Sequence, residues 1–434
     1  MLRCSRSRAA ALAVVMAALP ALAITAETLP ASAAPQEAVL KQAKAQRQSL
    51  IDTMKALVSI ESGSKDPDGL AEIATLIADR LKALGGEVQQ IEPKDVYRMQ
   101  DTPEKLGKIV LARFTGTGTK KIALIAHMDT VYLKGMLAQQ PFRIDGDKAY
   151  GLGIADDKHG VALALTTVAL LKDLNFRDYG TLTVMINGDE EISSPASRAL
   201  LTEIGAEQNA VFSLEGGGIG TDQIILATAG IGAVALKVEG KASHAGAAPE
   251  RGVNALYELA HQILQMRDLS DPKLGLKLNW TVAKAGTNRN VIPAEATAQA
   301  DVRMLRMADF DRIEKTVKDR IARKLLPDSR IEAVFERRRP PLQPSDAGRA
   351  LAAQAGTIYS EIGRKLTVID KAGGGGTDAA FAGLKAKGPV LEGLGLRGFG
   401  AHSNDAEYVE LDSVVPRLYL LARLVMEVSA GKTK

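Results

Sequence analysis

The sequence has almost no cysteine: among 434 residues there is one, Cys4, and it stands ahead of the first apolar run. A disulfide framework is thereby excluded, and the fold must be held by its core, by metal or by assembly. Aromatic residues make up only 4% of the chain, and 55 basic residues against 51 acidic ones leave a formal charge of +4 with no dense run of one sign. Nucleic-acid binding, which asks for a basic stripe with interleaved aromatics, finds no support in such a chain. After residue 34 no apolar run reaches the roughly 20 residues of a membrane helix, which argues against a membrane partner.

What is present is the composition of a globular protein, 46% hydrophobic and 24% charged. The length is more than one ordinary core accommodates and argues for two domains. The first 34 residues join an arginine-bearing start, an apolar stretch from about Ala9 to Ala23, and small-residue sites ending at Ala23 and Ala34. They read as a cleavable secretory signal peptide, predicting a periplasmic or secreted soluble protein.

From about Gln36 to Thr228, buried-looking strands alternate with helical patterns. KIALIA (121–126), TLTVMI (181–186) and AVFSLE (210–215) are the strands; AEIATLIADRLKALGG (71–86), KHGVALALTTVALLKDL (158–174) and SRALLTEIG (197–205) are the helices. This alternation predicts an α/β fold with a mixed, largely parallel sheet flanked by helices. Near Gly230 the pattern changes. GAVALKVEGKAS, VNALYELAHQILQM, ATAQADVRML, FDRIEKTVKDRIARKL and RIEAVFE follow as a β-α-β-α-β block, the size of a small α+β insert. After RRRPPLQP the earlier pattern resumes and ends in the helix RLYLLARLVMEV. The organisation expected is a catalytic domain at 35–229 and 339–434, interrupted by an inserted α+β domain at 230–338.

Three of the apolar runs end in potential ligands. KIALIA runs into His127 and Asp129, TLTVMI into Asp189, Glu190 and Glu191, and AVFSL into Glu215, while GIADDK sets Asp156 and Asp157 in a loop that opens a helix. The carboxyl ends of strands in an open α/β sheet are where sites form. Taken singly, each motif has an ordinary reading: a chance His-x-Asp, an acidic helix start, a solvated DDK loop. Their joint placement at strand ends is what independent surface charges would not share. Carboxylates crowded together repel and are costly to desolvate unless cations compensate. One histidine and one carboxylate at each of two positions, with a shared carboxylate, suit a pair of zinc-like ions. His127 and His402 offer nitrogen, Glu191 and Glu215 carboxylates, and Asp156 a candidate bridge.

The motifs HMDTVYLKG, GIADDK, NGDEE, GKASHAGAAPE, NWTVAKAG, GGGTDAA and GFGAHS, in that order, resemble the bacterial glutamate carboxypeptidases of the carboxypeptidase G type. These belong to the co-catalytic zinc metallopeptidase and deacylase superfamily that also holds acetylornithine deacetylase and aminoacylases. The resemblance implies that His127, Asp156 and Glu215 hold one zinc and Asp156, Glu191 and His402 the other, with cobalt or manganese as substitutes. It implies Glu190 as general base, Asp129 as the group that orients His127, and a cis peptide within Asp156-Asp157. His244 matches a histidine that helps polarise the scissile carbonyl. Asn290 and Arg303 match positions that grip the substrate carboxylate, for which arginine's planar fork is suited. Gly376 and Thr377, in a tight loop lacking the lysine of a phosphate cradle, border that carboxylate. Arg339 in RRRPP is a weaker candidate for the same grip, since the sequence does not say which of Arg337, Arg338 and Arg339 faces the site. His261 reads as a packed or boundary helix residue, and His159 is assigned no role.

The function implied is release of C-terminal glutamate from N-acyl or folate-type conjugates, with an N-acyl-amino-acid deacylase or dipeptidase as the alternative. The insert is implied to be a lid that also forms a homodimer. One segment departs from the carboxypeptidase G type: after Glu215 stands GGGIGTDQ, with Gln223 where that type has a lysine near substrate. The resemblance therefore carries the metal chemistry further than the side-chain preference.

Overall fold

The computed structural model describes residues 36–403 and 407–432. The signal-peptide reading, residues 1–34, lies outside them. Among the described residues, no helix is long and apolar enough to cross a membrane.

The Lys121–His127 strand explains its own sequence. Ile122, Leu124 and Ala126 pack into one apolar cluster while Ala123 and Ile125 pack into another on the opposite face. Both faces are covered, so the strand reads as a continuous apolar run rather than an alternation. Its neighbours on either side, Thr181–Asn187 and Ala210–Ser213, run parallel to it. Three further strands complete a six-stranded sheet. Val390–Leu391 is parallel to Ala210–Ser213, whereas Ile109–Thr115 and Glu87–Ile91 extend the other edge antiparallel. The sheet is therefore mixed, with its parallel half carrying the motifs.

One face is covered by His159–Asp173, a helix with nearly every residue buried, packed against Val414–Ser429. The other is covered by Arg198–Glu207 and Ala379–Gly383. The Pro67–Ala83 helix begins behind Asp66, whose carboxylate accepts from the Gly69 amide, and proline takes the first helical position, where its missing donor costs nothing.

The 230–339 segment forms a second sheet, entirely antiparallel, in the order Lys277–Ala285, Glu295–Met304, Gly230–Glu239, Arg330–Arg339. Here alternation is clear. Val234, Leu236 and Val238 with Ala296, Ala298, Ala300 and Val302 face two helices, Ala255–Gln265 and Ala308–Ile321, which seal the cluster with Leu259, Phe310, Ile313 and Val317. This cluster shares no residue with those of the larger sheet. The opposite face, with Ala233, Ala235, Gln299, Asp301 and Arg303, lines a cavity of about 470 Å³ whose far wall holds Glu190, Glu191 and His402. The fourth strand, Lys277–Ala285, is an addition to the β-α-β-α-β pattern expected. It lies at the sheet edge with most residues exposed, so no apolar alternation marked it.

Candidate metal centre

Because Lys121–His127, Thr181–Asn187 and Ala210–Ser213 are parallel neighbours, their carboxyl ends open at one edge of the sheet. His127 is the last residue of its strand, Glu190 and Glu191 open a single turn at Glu190–Ile192, and Glu215 follows its strand by two residues. Asp156 comes from the Ile154–Lys158 turn that precedes the His159–Asp173 helix, and its peptide bond to Asp157 is cis. His402 comes from the loop after Gly398–Phe399.

These side chains form two groups, His127 with Asp156 and Glu215, and Asp156 with Glu191 and His402, the facing atoms of each group lying within 4.8 Å of one another. Asp156 belongs to both, and its two oxygens divide between them. Oδ1 lies 3.0 Å from His127 Nε2 and Oδ2 lies 3.2 Å from His402 Nε2. Glu215 Oε1 completes the first group 3.4 Å from His127 Nε2, and Glu191 Oε2 the second 3.1 Å from His402 Nε2.

Asp129 stands behind His127. The ring's other nitrogen, Nδ1, is 3.0 Å from the Asp129 carbonyl and 3.3 Å from its Oδ1. The same carboxylate accepts the backbone N–H of Glu190 at 3.0 Å and of Glu191 at 3.1 Å, and the Ser64 hydroxyl at 2.8 Å. It therefore fixes His127 and the turn that carries Glu190 and Glu191.

The electrostatics are those of acidic groups short of positive charge. Burial pushes the Glu191 carboxyl up to about 7, and the charge of Asp156 adds to this. Burial drives Glu190 well above the usual carboxylate range against the pull of Arg339. Burial and Asp156 raise Glu215 as well. Asp156 goes the other way: burial opposes its charge, but hydrogen bonds with His127 and His402 hold it below the usual range. Hydrogen bonds with Asp156 and Glu191 lift His402 to about 11. Glu191 Oε1 is also buried with no hydrogen-bond partner. Two imidazoles, three carboxylates and an unpartnered buried acceptor fit two divalent cations, which would relieve the repulsion and occupy the free lone pairs.

Backbone strain concentrates here too. Among the described residues, the non-glycine positions with positive φ are Asp95, Asn175, Ser193, Ser194 and His402, and the last three belong to this centre or the turn beside it. Such conformations cost on the order of 1–3 kcal/mol each and persist where surrounding contacts hold them.

The other expected residues divide. Arg303 and Gly376 line the cavity. Arg303 is already paired, with Asp301 at 2.9 Å and the Gly374 carbonyl at 3.0 Å. Thr377 turns its hydroxyl to Glu392, 2.7 Å away. His244 and Asn290 are brought together by a bridge between His244 and Val291 and by the Ala245 amide donating to the Asn290 carbonyl. Both are exposed and neither lines the cavity beside Glu190, Glu191 and His402. His261 sits at a boundary against the Arg323 carbonyl, and His159 is fully buried with Nδ1 on the Ile154 carbonyl.

Two residues that sequence reading passed over, and Arg339, which it left undecided among three arginines, hold the centre together. Glu407, buried, accepts from the Gly153 and Ala155 amides and from the Tyr132 hydroxyl, tying the Asp156 turn to the exit of the His127 strand. Asp378 accepts from Ser194 and Asn187 beside the Glu190 turn. Arg339 meets Glu190 directly. Asp378 stands inside the quoted motif GGGTDAA, whereas nothing local marks Glu407 or distinguishes Arg339 from its two neighbours.

The model of peptidase family M20/M25/M40 matches residues 123–427, which span both groups described above. The chain belongs to peptidase family M20/M25/M40. This M20 chain is 44% identical over 398 residues to carboxypeptidase G2 of Pseudomonas sp. (strain RS-16), covering 92% of this chain and 94% of the relative. The fold is shared with the M20 family metallo-carboxypeptidase Sso-CP2 of Sulfolobus solfataricus, with a TM-score of 0.70 at 15% identity over 88% of this chain and 99% of that one. It is also shared with Bacillus subtilis YXEP, described as a dinuclear metal-binding peptidase of the M20 family, with a TM-score of 0.63 at 17% identity over 89% and 99% of the two chains.

Proposed function

We propose that this M20 peptidase is an exported, two-zinc carboxypeptidase that cleaves the amide bond next to a free carboxylate, releasing C-terminal glutamate from N-acyl or folate-type conjugates. The observation that carries the reading is Asp156, whose two oxygens face two different histidines, each group completed by one glutamate. His127, Asp156 and Glu215 would hold one ion, and Asp156, Glu191 and His402 the other, with cobalt or manganese as workable substitutes. Such ions supply Lewis-acid polarisation of the scissile carbonyl and a more acidic water. Glu190, beside both groups, takes a proton from the attacking water on its carboxylate and delivers it to the leaving amine nitrogen. Asp129 keeps His127 with Nε2 forward, as a carboxylate partner does for a ligating imidazole. Arg303 exchanges its Asp301 contact for the substrate carboxylate.

In this reading 230–338 acts as a lid over the metal-bearing body and forms a homodimer. The exposure of His244 and Asn290, away from their own cavity, supports their use in the site of a neighbouring subunit.

One observation favours a second specificity. The three arginines that line the cavity, all on the antiparallel sheet, are already paired, Arg303 with Asp301, Arg338 with Asp101 and Glu336, and Arg339 with Glu190 and Asp378. A pocket without free positive charge is less suited to a glutamate side chain and leaves a deacylase or dipeptidase with another residue preference as the alternative. Turnover of N-acyl-glutamate, N-acyl-leucine and N-acetylornithine by the metal-loaded enzyme separates the two. Equal rates across the panel would remove glutamate specificity from the assignment.

A further inference from the structure

The Arg330–Arg339 strand breaks its alternation just before it ends. Its register against Gly230–Glu239 shifts there: Arg337 lies opposite Gly232, and Arg339 lies opposite Ile231. Arg338 is the extra residue, and a bulge of this kind re-aims the side chains around it. Arg337 stays on the helix side, paired with Asp311 and Glu314. Arg338 turns into the cavity and pairs with Asp101 and Glu336. Arg339 is carried to the Ile231 side of the sheet, which faces the Glu190 turn.

There its side chain is 3% exposed. Nη1 is 2.6 Å from Glu190 Oε1 and 3.2 Å from Asp378 Oδ1, while Nη2 donates to the Glu190 carbonyl at 2.6 Å. One arginine thus holds both ends of the same glutamate. Asp378 backs the arginine and also accepts from Ser194 and Asn187, so the whole arrangement closes on the segment that carries Glu190. Gly376 leaves the passage open: a Cβ there would come 3.0 Å from Arg339 Cδ and 2.7 Å from the Ala229 carbonyl oxygen. An arginine that grips substrate needs donors it can release, as Arg303 can, being part-exposed and paired with an exposed Asp301. In Arg339 both terminal nitrogens are engaged, and the remaining Nε, unpartnered, is buried.

Resting on the reading of Glu190 as general base, we propose that Arg339 is the positioning residue of that base, holding its carboxylate and its carbonyl in one orientation and taking no part in gripping substrate. A lysine at 339 supplies a compact point charge on a flexible stem in place of the rigid planar fork that holds the two oxygens in fixed relation.

The test uses the full-length metal-loaded enzyme with one N-acyl-glutamate substrate and four variants: Arg339→Lys, Arg339→Ala, Asp378→Asn and Glu190→Gln. Positioning predicts that Arg339→Lys lowers kcat on the order of 10- to 100-fold, the range for loss of a supporting partner. KM stays within about threefold and metal content at the wild-type level. It further predicts that added guanidinium restores part of the rate of Arg339→Ala. A tenfold or greater rise in KM with kcat kept would make Arg339 a substrate contact and overturn the proposal. So would wild-type kinetics, or a loss of rate matched by loss of metal. If Arg339→Ala does not fold, Arg339→Lys and Asp378→Asn carry the test, the latter expected to lower kcat with KM kept and overturning the proposal if it is wild-type in rate. Glu190→Gln separates the layers: an active variant defeats the general-base reading itself, whereas an inactive one beside a wild-type Arg339→Lys defeats only the positioning role.

Discussion

Asp129 accepts two backbone amides and a serine hydroxyl while standing behind His127, so its loss and the loss of His127 have different consequences. His127→Ala is expected to leave one metal per chain instead of two by elemental analysis. Asp129→Ala is expected to keep the site, with affinity and rate lowered about 10- to 100-fold. Glu191 makes a sharper case because its two duties conflict. Burial and Asp156 disfavour its charge and place its carboxyl at about 7, above the ordinary 4.5. A raised carboxyl contributes stability that is whole below the unfolded value and is lost as pH rises through the folded one. In chelated protein at pH 8, Glu191→Gln should therefore melt above the wild type, and the gap should close below about pH 4.5. With metal restored the order should invert, because the amide is a poorer ligand. A gap of one sign under both conditions would contradict the ligand assignment. The residues of the two groups were legible in sequence because His127, Glu191 and Glu215 follow apolar runs, Asp156 and His402 stand in short distinctive loop motifs, and each carries its chemistry in its own side chain. Glu407 and Arg339 were not, since their roles arise from partners more than 140 positions away, at Tyr132, Gly153 and Glu190.

At the scale of elements, strands buried on both faces were readable as apolar runs, and the insert's inner strands as alternation. Two things resisted. The Lys277–Ala285 strand lies exposed at an edge, so burial imprinted no period on it. The bulge in Arg330–Arg339 defeats alternation by construction, and three successive arginines give no contrast to reveal it. The 373–376 glycine run shows that loop residues of one type have unequal jobs. A Cβ on Gly376 would meet the Ala229 carbonyl at 2.7 Å, whereas nothing lies within 4 Å of one on Gly373. Gly376→Ala should destabilise by about 1–3 kcal/mol, as overpacking does, measured by denaturant unfolding, with Gly373→Ala near neutral. Equal effects at both positions would mean that the close packing is not what Gly376 serves.

For the whole molecule, metal is a stabiliser as well as a reagent. A ligand that binds only the folded state at a hundredfold excess over its Kd adds about 2.7 kcal/mol per site. Chelation should lower Tm by several degrees and metal should restore it, while a Glu191→Gln/His402→Ala double variant should respond to one site only. The order of sheets and insert was visible in sequence because composition and period change together near Gly230. The approach of the two parts across the cavity was not, since it depends on contacts such as Arg338 with Asp101 and Gln100 with Glu336.

The separate apolar cluster of the antiparallel sheet has a thermodynamic reach of its own. Its residues lean on one another and on two helices, sharing none with the clusters of the larger sheet. Backbone amides of Val234, Leu236, Ala298 and Ala300 should therefore exchange with deuterium as one cooperative unit, through an opening that leaves Ile122, Leu124 and Val184 protected. The protein would then cross from native to unfolded in more than one step, and the two acidic groups at the edge of the larger sheet would outlast the wall that faces them.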